Sequence, residues 1–360
     1  IEYALDPNRD GDLSDHLDVV NLSIASDYAL ADGPDPDLEA VQRAAEVGML
    51  VTIAAGNEGD HYFVAGAPQV APSAMCVGAV EDTRGTPDRV AAFSSRGPAW
   101  TTTGPLLKPD VTAPGLGIFS AAAGTGTEGR IVDGTSLAAP HVAGTLALLR
   151  ELRPDWSASP ARACAMTAAV REPSAGTRCG PGSLGAGSGD AAAAADTEVL
   201  VYDAAHPDRV SVSFAMREVL DTARETRYVR IVNHGATPAR FLPRIETRVD
   251  MTGMVYSLDD MGAVSVPAGD GLELGVHLEA TAREMAGGYD ASTTEWERGE
   301  PRHRLGEEAG YLILEALDGR NDLHVPLYAA PRAVVDMHAD AAWSDGVLHL
   351  PLSGTSEARV

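Results

Sequence analysis

The sequence predicts an α/β unit, a parallel sheet with helices on both faces, followed by an all-β sandwich. Three observations carry this reading. In the first half, short apolar runs alternate with segments of helical period, the pattern of parallel strands joined by crossover helices. A glycine- and serine-rich stretch, Thr177 to Gly189, then interrupts the chain. Beyond Asp196 apolar residues recur at every second position, the period of half-buried strands. The expected divisions are 1–195 for the α/β unit, 196–330 for the sandwich and 331–360 for the start of a further segment or domain.

Taken in order, Ile1 to Leu5 reads as the end of a helix. Asp6-Pro-Asn-Arg-Asp-Gly-Asp-Leu-Ser-Asp15 then sets oxygen ligands at alternating positions, with Gly11 at the turn. Asp6, Asn8, Asp10 and Asp12 could open a structural calcium loop, but Leu17 stands where an EF-hand needs its closing glutamate. A solvated acidic hairpin is the competing reading, and both stay open. Asp18 to Ser23 is an apolar strand. Asp37 to Val47 is an amphipathic helix with Leu38, Val41 and Ala45 inward, stopped by Gly48, and Met49 to Ala54 is the next strand. In such sheets ligands sit beyond the carboxyl ends of the strands, where Ser23-Ile24-Ala25 and Ala54 to Asn57 fall.

Ile131 and Val132 lead into Asp133-Gly-Thr-Ser-Leu-Ala-Ala-Pro-His-Val-Ala-Gly144, a sharp turn into a helix of small residues. Ser136 reads as its N-cap, which puts Pro140 at the fourth helical position, where no backbone bond is lost. The positive end of the helix dipole lies beneath that serine, a sensible setting for a nucleophile. Arg153 to Ser157 is a polar turn with Trp156 against the surface, and Ser159-Pro160 caps a helix to about Val170. Val210, Val212 and Phe214, then Val229 and Ile231 before an Asn233-His-Gly235 turn, are strand signals. So are Leu272 to Leu278, Tyr311 to Ala316, Leu323 to Leu327 and Leu348 to Leu352. The charged stretch Ala280 to Gly310 reads as an exposed loop without a catalytic constellation.

Net charge is -25, from 27 basic and 52 acidic residues, so no surface could neutralise a phosphate backbone and nucleic acid is excluded as a partner. Lys108 is the only lysine. No apolar run reaches the ~20 residues of a membrane span. Cys76, Cys164 and Cys179 are too few for a disulfide framework; buried free thiols are preferred over a Cys164–Cys179 bridge.

The serine segment closely resembles the catalytic-serine signature of the subtilisin-like serine proteases. Val20-Asn-Leu-Ser-Ile24, Ala54-Ala-Gly-Asn-Glu-Gly59, Val77-Gly-Ala79, Phe93-Ser-Ser-Arg-Gly-Pro98 and Lys108-Pro-Asp-Val-Thr-Ala-Pro-Gly115 follow the same family in order. The resemblance implies an endopeptidase acting on proteins or peptides through an acyl-enzyme on Ser136, with Asn57 as oxyanion donor beside the Ser136 N–H. Without it, Asn57 would read as an ordinary turn asparagine. It further implies that Ser23, Ile24 and Ala25 pair with the peptide, that Ala54, Ala55, Gly56 and Thr135 line the cleft, and that Glu58 lies near its rim. Ala25 departs from the glycine usual there. A secreted or cell-surface location, structural calcium and no organic cofactor are also implied. The downstream strands resemble, more weakly, the fibronectin-III-like module that follows such domains.

A serine needs a base. The family's His-Gly-Thr-His motif is absent, His141 resembles the family's structural histidine, and His16 and His61 lack suitable neighbours. The catalytic aspartate and histidine are therefore expected upstream of residue 1, and this segment alone is expected to be inactive. The alternatives are an inactive relative that binds peptides or surfaces, and an α/β-hydrolase esterase. The latter requires Gly-x-Ser-x-Gly, and Ala138 stands at its last glycine.

Overall fold

The computed structural model describes residues 1–82, 87–102, 104–170, 178–214, 218–259, 261–297, 299–334, 338–339, 342–344, 347–349 and 352–353. After a short helix, Glu2–Leu5, strands β1 (Val19–Leu22), β2 (Leu50–Ala54) and β3 (Met75–Asp82) pair in parallel, and Val111–Leu116 adds a further parallel strand along β3. The short β4 (Pro87–Val90) is the antiparallel member.

The β2 residues divide strictly by parity. Val51 and Ile53 join the cluster of Leu38, Val41 and Ala44 on the helix Pro36–Glu46. Leu50 and Ala54 join that of Ala138, Val142 and Leu146 on the helix Thr135–Leu152. A strand whose two faces are both covered by helices is the α/β arrangement the alternation implies. The first helix begins one residue earlier than the sequence suggests, because Asp35 caps it by accepting from the Asp37 amide and Pro36 occupies its first turn. Ala44, three residues after Val41, faces inward, and Ala45 is half-buried.

From Val199 onward the regular elements among the described residues are almost all strands. One sheet joins Val199–Asp203, Thr222–Asn233, Gly271–Thr281 and Met254–Leu258. A second joins Val212–Phe214, Leu323–Ala329, Glu308–Ala316, Ala239–Val249 and Val264–Val266. Val201, Ile231 and Val276 of the first share one cluster with Phe214, Phe241, Leu312 and Val325 of the second. The run Tyr311 to Leu314 is buried at every position, as is Leu323–Ala329, so period two vanishes there. The reason is that the other face of this sheet packs on the N-terminal part. The Tyr311 hydroxyl donates to Gly185 O at 2.9 Å, and His324 Nδ1 lies 3.2 Å from Ala169 O.

The glycine-rich stretch is built into the fold: residues 179–188 are buried, with Ala186, Gly187 and Gly189 bonded to the strand around Asp110 and Thr112. The charged stretch 280–310, expected as an exposed loop, is exposed over much of its length but carries buried ion pairs. Arg96, 2% exposed, pairs with both Glu307 oxygens at 2.8 and 3.0 Å and faces Asp290 at 3.8 Å. The Tyr328 hydroxyl donates to Glu307 at 2.7 Å, and the Gly180 amide to Asp290 at 3.0 Å. Burial opposes the Arg96 charge, but Glu307 and Asp290 outweigh it. Removing one partner of such a buried pair costs about 3–5 kcal/mol, so this contact locks the two parts together.

The helix expected from Ser159 spans Ala158–Thr167 and is flanked by Ser157, with Pro160 inside its first turn. Trp156 is buried, its ring 5.5 Å from that of His234. All three cysteines are buried thiols; burial pushes Cys76 and Cys164 up to about 12 and Cys179 up to about 11, so they are protonated at neutral pH. Lys108 is buried too, its Nζ 2.6 Å from Asp110 and bonded to the Ala71 and Ala74 carbonyls. Of Leu348 to Leu352, Val347–His349 and Leu352–Ser353 are strands, while Leu350 and Pro351 lie outside the described residues. Among the described residues, no helix is long and apolar enough to cross a membrane.

Candidate active site

The helix Thr135–Leu152 starts one residue before Ser136, with Gly134 as N-cap at φ 149°, so Ser136 is the second helical residue and not the cap. Pro140 thereby moves into the helix interior. Its ring nitrogen cannot donate to the carbonyl four residues back, which is that of Ser136. Ser23 supplies the missing donor: its Oγ gives a hydrogen bond to Ser136 O at 2.7 Å. In return Ser136 Oγ donates to Ser23 O at 3.2 Å. Asn21 Nδ2 donates to Ser23 Oγ at 2.9 Å, and buried Thr52 donates to Asn21 Oδ1 at 3.1 Å, so the pairing is tied to the sheet. Among the described residues, Ser136 Oγ touches no histidine. His141 Nδ1 lies 2.7 Å from Leu137 O, and His16 Nδ1 lies 3.0 Å from Leu17 O.

Asn57 follows β2 on the turn Ala55-Gly56. Its Oδ1 accepts from the Thr135 amide at 3.0 Å and lies 3.1 Å from Thr135 Oγ1. A backbone N–H can only donate, so this contact fixes which end of the side-chain amide is oxygen and, among the described residues, leaves Nδ2 as the free donor. Thr135 Oγ1 also accepts from the Gly56 amide at 3.2 Å. Thr135 is fully buried, so its side chain serves the asparagine turn and not a cleft wall. Gly56 has φ +107°, and a Cβ there would stand 2.6 Å from Glu58 Oε2 and 2.7 Å from Ser95 Oγ, so only glycine fits. Glu58 Oε2 accepts from Ser95 Oγ at 2.8 Å.

Ser23, Ile24 and Ala25 are exposed and, among the described residues, paired with no strand, and Ile24 is 59% exposed. The segment is anchored at both ends, by Ser23 on Ser136 and by Ser26, whose carbonyl accepts from Gln69 Nε2 and the Gly66 amide. Ala54, Ala55 and Gly56 are buried behind Asn57. A serine at the positive end of a helix, a side-chain amide and an exposed backbone segment are three of the parts that an acyl transfer on an extended chain uses; a base is a fourth.

Comparison with known proteins gives this arrangement its context. The family model described as "Subtilase family" matches residues 1–197, more than half of the chain. The chain belongs to the subtilase family. Over 156 residues it is 37% identical to pyrolysin of Pyrococcus furiosus, covering 37% of this chain and 11% of that protein. It is 32% identical over 172 residues to the serine protease AprX of Bacillus subtilis, covering 43% and 38%. Subtilisin E of the same bacterium is 36% identical over 147 residues, covering 40% and 34%. The chain thus spans well under half the length of each of these subtilases. Subtilases are serine proteases, and the two-sided helix packing of the sheet agrees with that membership.

The Asp6 to Asp12 turn has a different economy. Asp6 accepts from the Asp10 and Gly11 amides at 3.1 and 3.0 Å, Asn8 from the Asp10 amide at 2.9 Å, Asp10 from the Asp12 amide at 2.8 Å, and Asp12 from the Ser14 amide at 2.9 Å. These oxygens serve their own backbone, and among the described residues no three acidic, histidine or cysteine groups gather within reach of one metal ion. The donor chemistry of these residues, carboxylate and amide oxygens, suits a hard cation.

Two features escape sequence reasoning. Neither the Ser23 hydroxyl as partner of the Ser136 carbonyl nor the Arg96 cluster follows from spacing. A proline four residues after the serine is the one local signal for the former.

Proposed function

We propose that this chain is part of a serine endopeptidase that cleaves peptide bonds through an acyl-enzyme on Ser136. Asn57 Nδ2 and the Ser136 amide stabilise the oxyanion, and Ser23, Ile24 and Ala25 receive the peptide as an added strand. The observation that carries the reading is the orientation of Asn57: with Oδ1 held by the Thr135 amide at 3.0 Å, its N–H₂ end is the one left for a developing negative oxygen. The reading requires a histidine, oriented by an aspartate, delivered to Ser136 Oγ from outside residues 1–360. Protein or peptide substrates, a secreted or cell-surface location, and a fibronectin-III-like sandwich built by the two later sheets belong to the same proposal. So does structural calcium on Asp6, Asn8, Asp10 and Asp12, supported by their alternating oxygens.

The test is fluorophosphonate labelling of the full-length protein. Labelling that maps to Ser136 and vanishes in Ser136→Ala is expected; an unlabelled wild type would instead favour a relative that only binds peptides. The same assay with a chelator reads the calcium part, which fails if labelling and melting temperature are both unchanged.

A further inference from the structure

The loop Gly56 to Asp60 carries Asn57 and is held from three directions. Thr135 holds its first two residues, as described. The segment Phe93 to Ser95 holds the middle: the Gly59 amide donates to Phe93 O at 2.8 Å, the Ser95 amide to Gly56 O at 3.0 Å, and the Glu58 amide to Ser95 Oγ at 3.1 Å. The third hold comes from 234 residues further along the chain. The Thr294 amide and hydroxyl donate to Asp60 Oδ2 at 2.6 and 3.0 Å. Arg302 pairs with Asp60 Oδ1 at 2.7 Å and donates to the Asp60 carbonyl at 2.6 Å.

We propose that Thr294 and Arg302 are positioning residues for the oxyanion donor: by gripping Asp60 they fix the loop that presents Asn57, so turnover depends on the C-terminal part of the chain. The proposal rests on the reading of Asn57 given above. Three observations support it. Thr294 and Arg302 stand at the base of one hairpin, Trp296–Glu297 with Glu300–Pro301, closed by the Arg302 amide on Glu295 O at 2.9 Å. The grip is itself braced, because Arg302 Nη1 also donates to Thr294 Oγ1 at 3.1 Å and the Arg302 side chain is only 8% exposed. The loop it restrains has glycines at φ +107° and +75°, Gly56 and Gly59, which give the backbone two pivots on either side of Asn57.

An oxyanion donor acts by standing in place before charge develops, and displacement by about 1 Å costs up to ~10²-fold in rate. Releasing Asp60 removes one of three holds, which sets the expected loss nearer tenfold.

The experiment compares full-length wild type with Arg302→Ala and Arg302→Lys. Two quantities are read: kcat and KM on a chromogenic peptide, and amide hydrogen exchange in peptides covering 50–60. In Arg302→Ala, kcat is expected to fall about tenfold with KM within about twofold. Exchange should quicken over 55–60 but not over 50–54, and Arg302→Lys should recover part of both. Unchanged kcat in an active protein overturns the proposal, as does unchanged exchange over 55–60 or loosening that spreads evenly into 50–54. A wild type without turnover defeats the protease reading; the exchange data then decide the grip alone.

Discussion

Thr135 has one hydroxyl proton and three polar atoms within reach of it: the amide and carbonyl of Gly56 and the Asn57 side chain. Thr135→Val keeps the shape and removes the hydroxyl, leaving the buried Gly56 N–H without its acceptor. A buried unsatisfied donor costs about 1–3 kcal/mol, so the melting temperature should drop by several degrees in a thermal scan. The Thr135 amide still holds Asn57 Oδ1. The fall in kcat should therefore stay below the ~10²- to 10³-fold that loss of such a donor causes in subtilisin. A loss as large as that of Asn57→Ala would mean that the hydroxyl, not the amide, orients the asparagine. Ser136 and Asn57 were both legible as candidates in the sequence, each inside a run of distinctive neighbours. The hydrogen bonds between their segments were not, because Gly56 and Thr135 are 79 positions apart and only the closed sheet brings them together.

Among the elements, the edge of Glu308–Ala316 carries a separate stress. Glu308 is 2% exposed, and burial pushes its carboxyl up to about 8, with Asp250 adding repulsion and the Met251 amide, 2.6 Å away, opposing both. A carboxyl raised in the folded state holds its proton where the unfolded chain has lost it. Its contribution to stability is thus complete below about 4.5 and is lost progressively as pH rises towards 8. Glu308→Gln keeps an oxygen for Met251 and cannot ionise. Its melting temperature should lie above wild type at pH 8 and converge with it at pH 4.5; identical curves would show that Glu308 ionises normally. Element types were the most legible level, since parity and helical period survive wherever one face meets a core. Helix starts were misread by one or two residues because Asp35 and Gly134 compete with nearby capping residues. The stretch 280–310 was misread in part: much of it is exposed, but Asp290, Thr294, Arg302 and Glu307 look solvated until Arg96, Asp60 and the buried Tyr328 are seen beside them.

At the scale of the molecule, the two parts share more than a boundary. Leu200 and Val210 enter the core of the serine helix, and Leu107 joins Val249, Ala309 and Tyr328 in a separate cluster. Lys108 is the only lysine of the sequence, and composition alone does not say where it lies. That lysine is 2% exposed beneath three oxygen acceptors. Acylating reagents need an accessible amine, which a side chain buried against Asp110 and two backbone carbonyls does not offer. In folded protein treated with a succinimidyl ester, mass spectrometry of the peptide containing Lys108 should find it unmodified, and modification should appear in step with loss of the fold in denaturant. Rapid acylation in fully folded protein would contradict its burial. The residue is thus an internal stopwatch, silent while the core is shut and started by its opening.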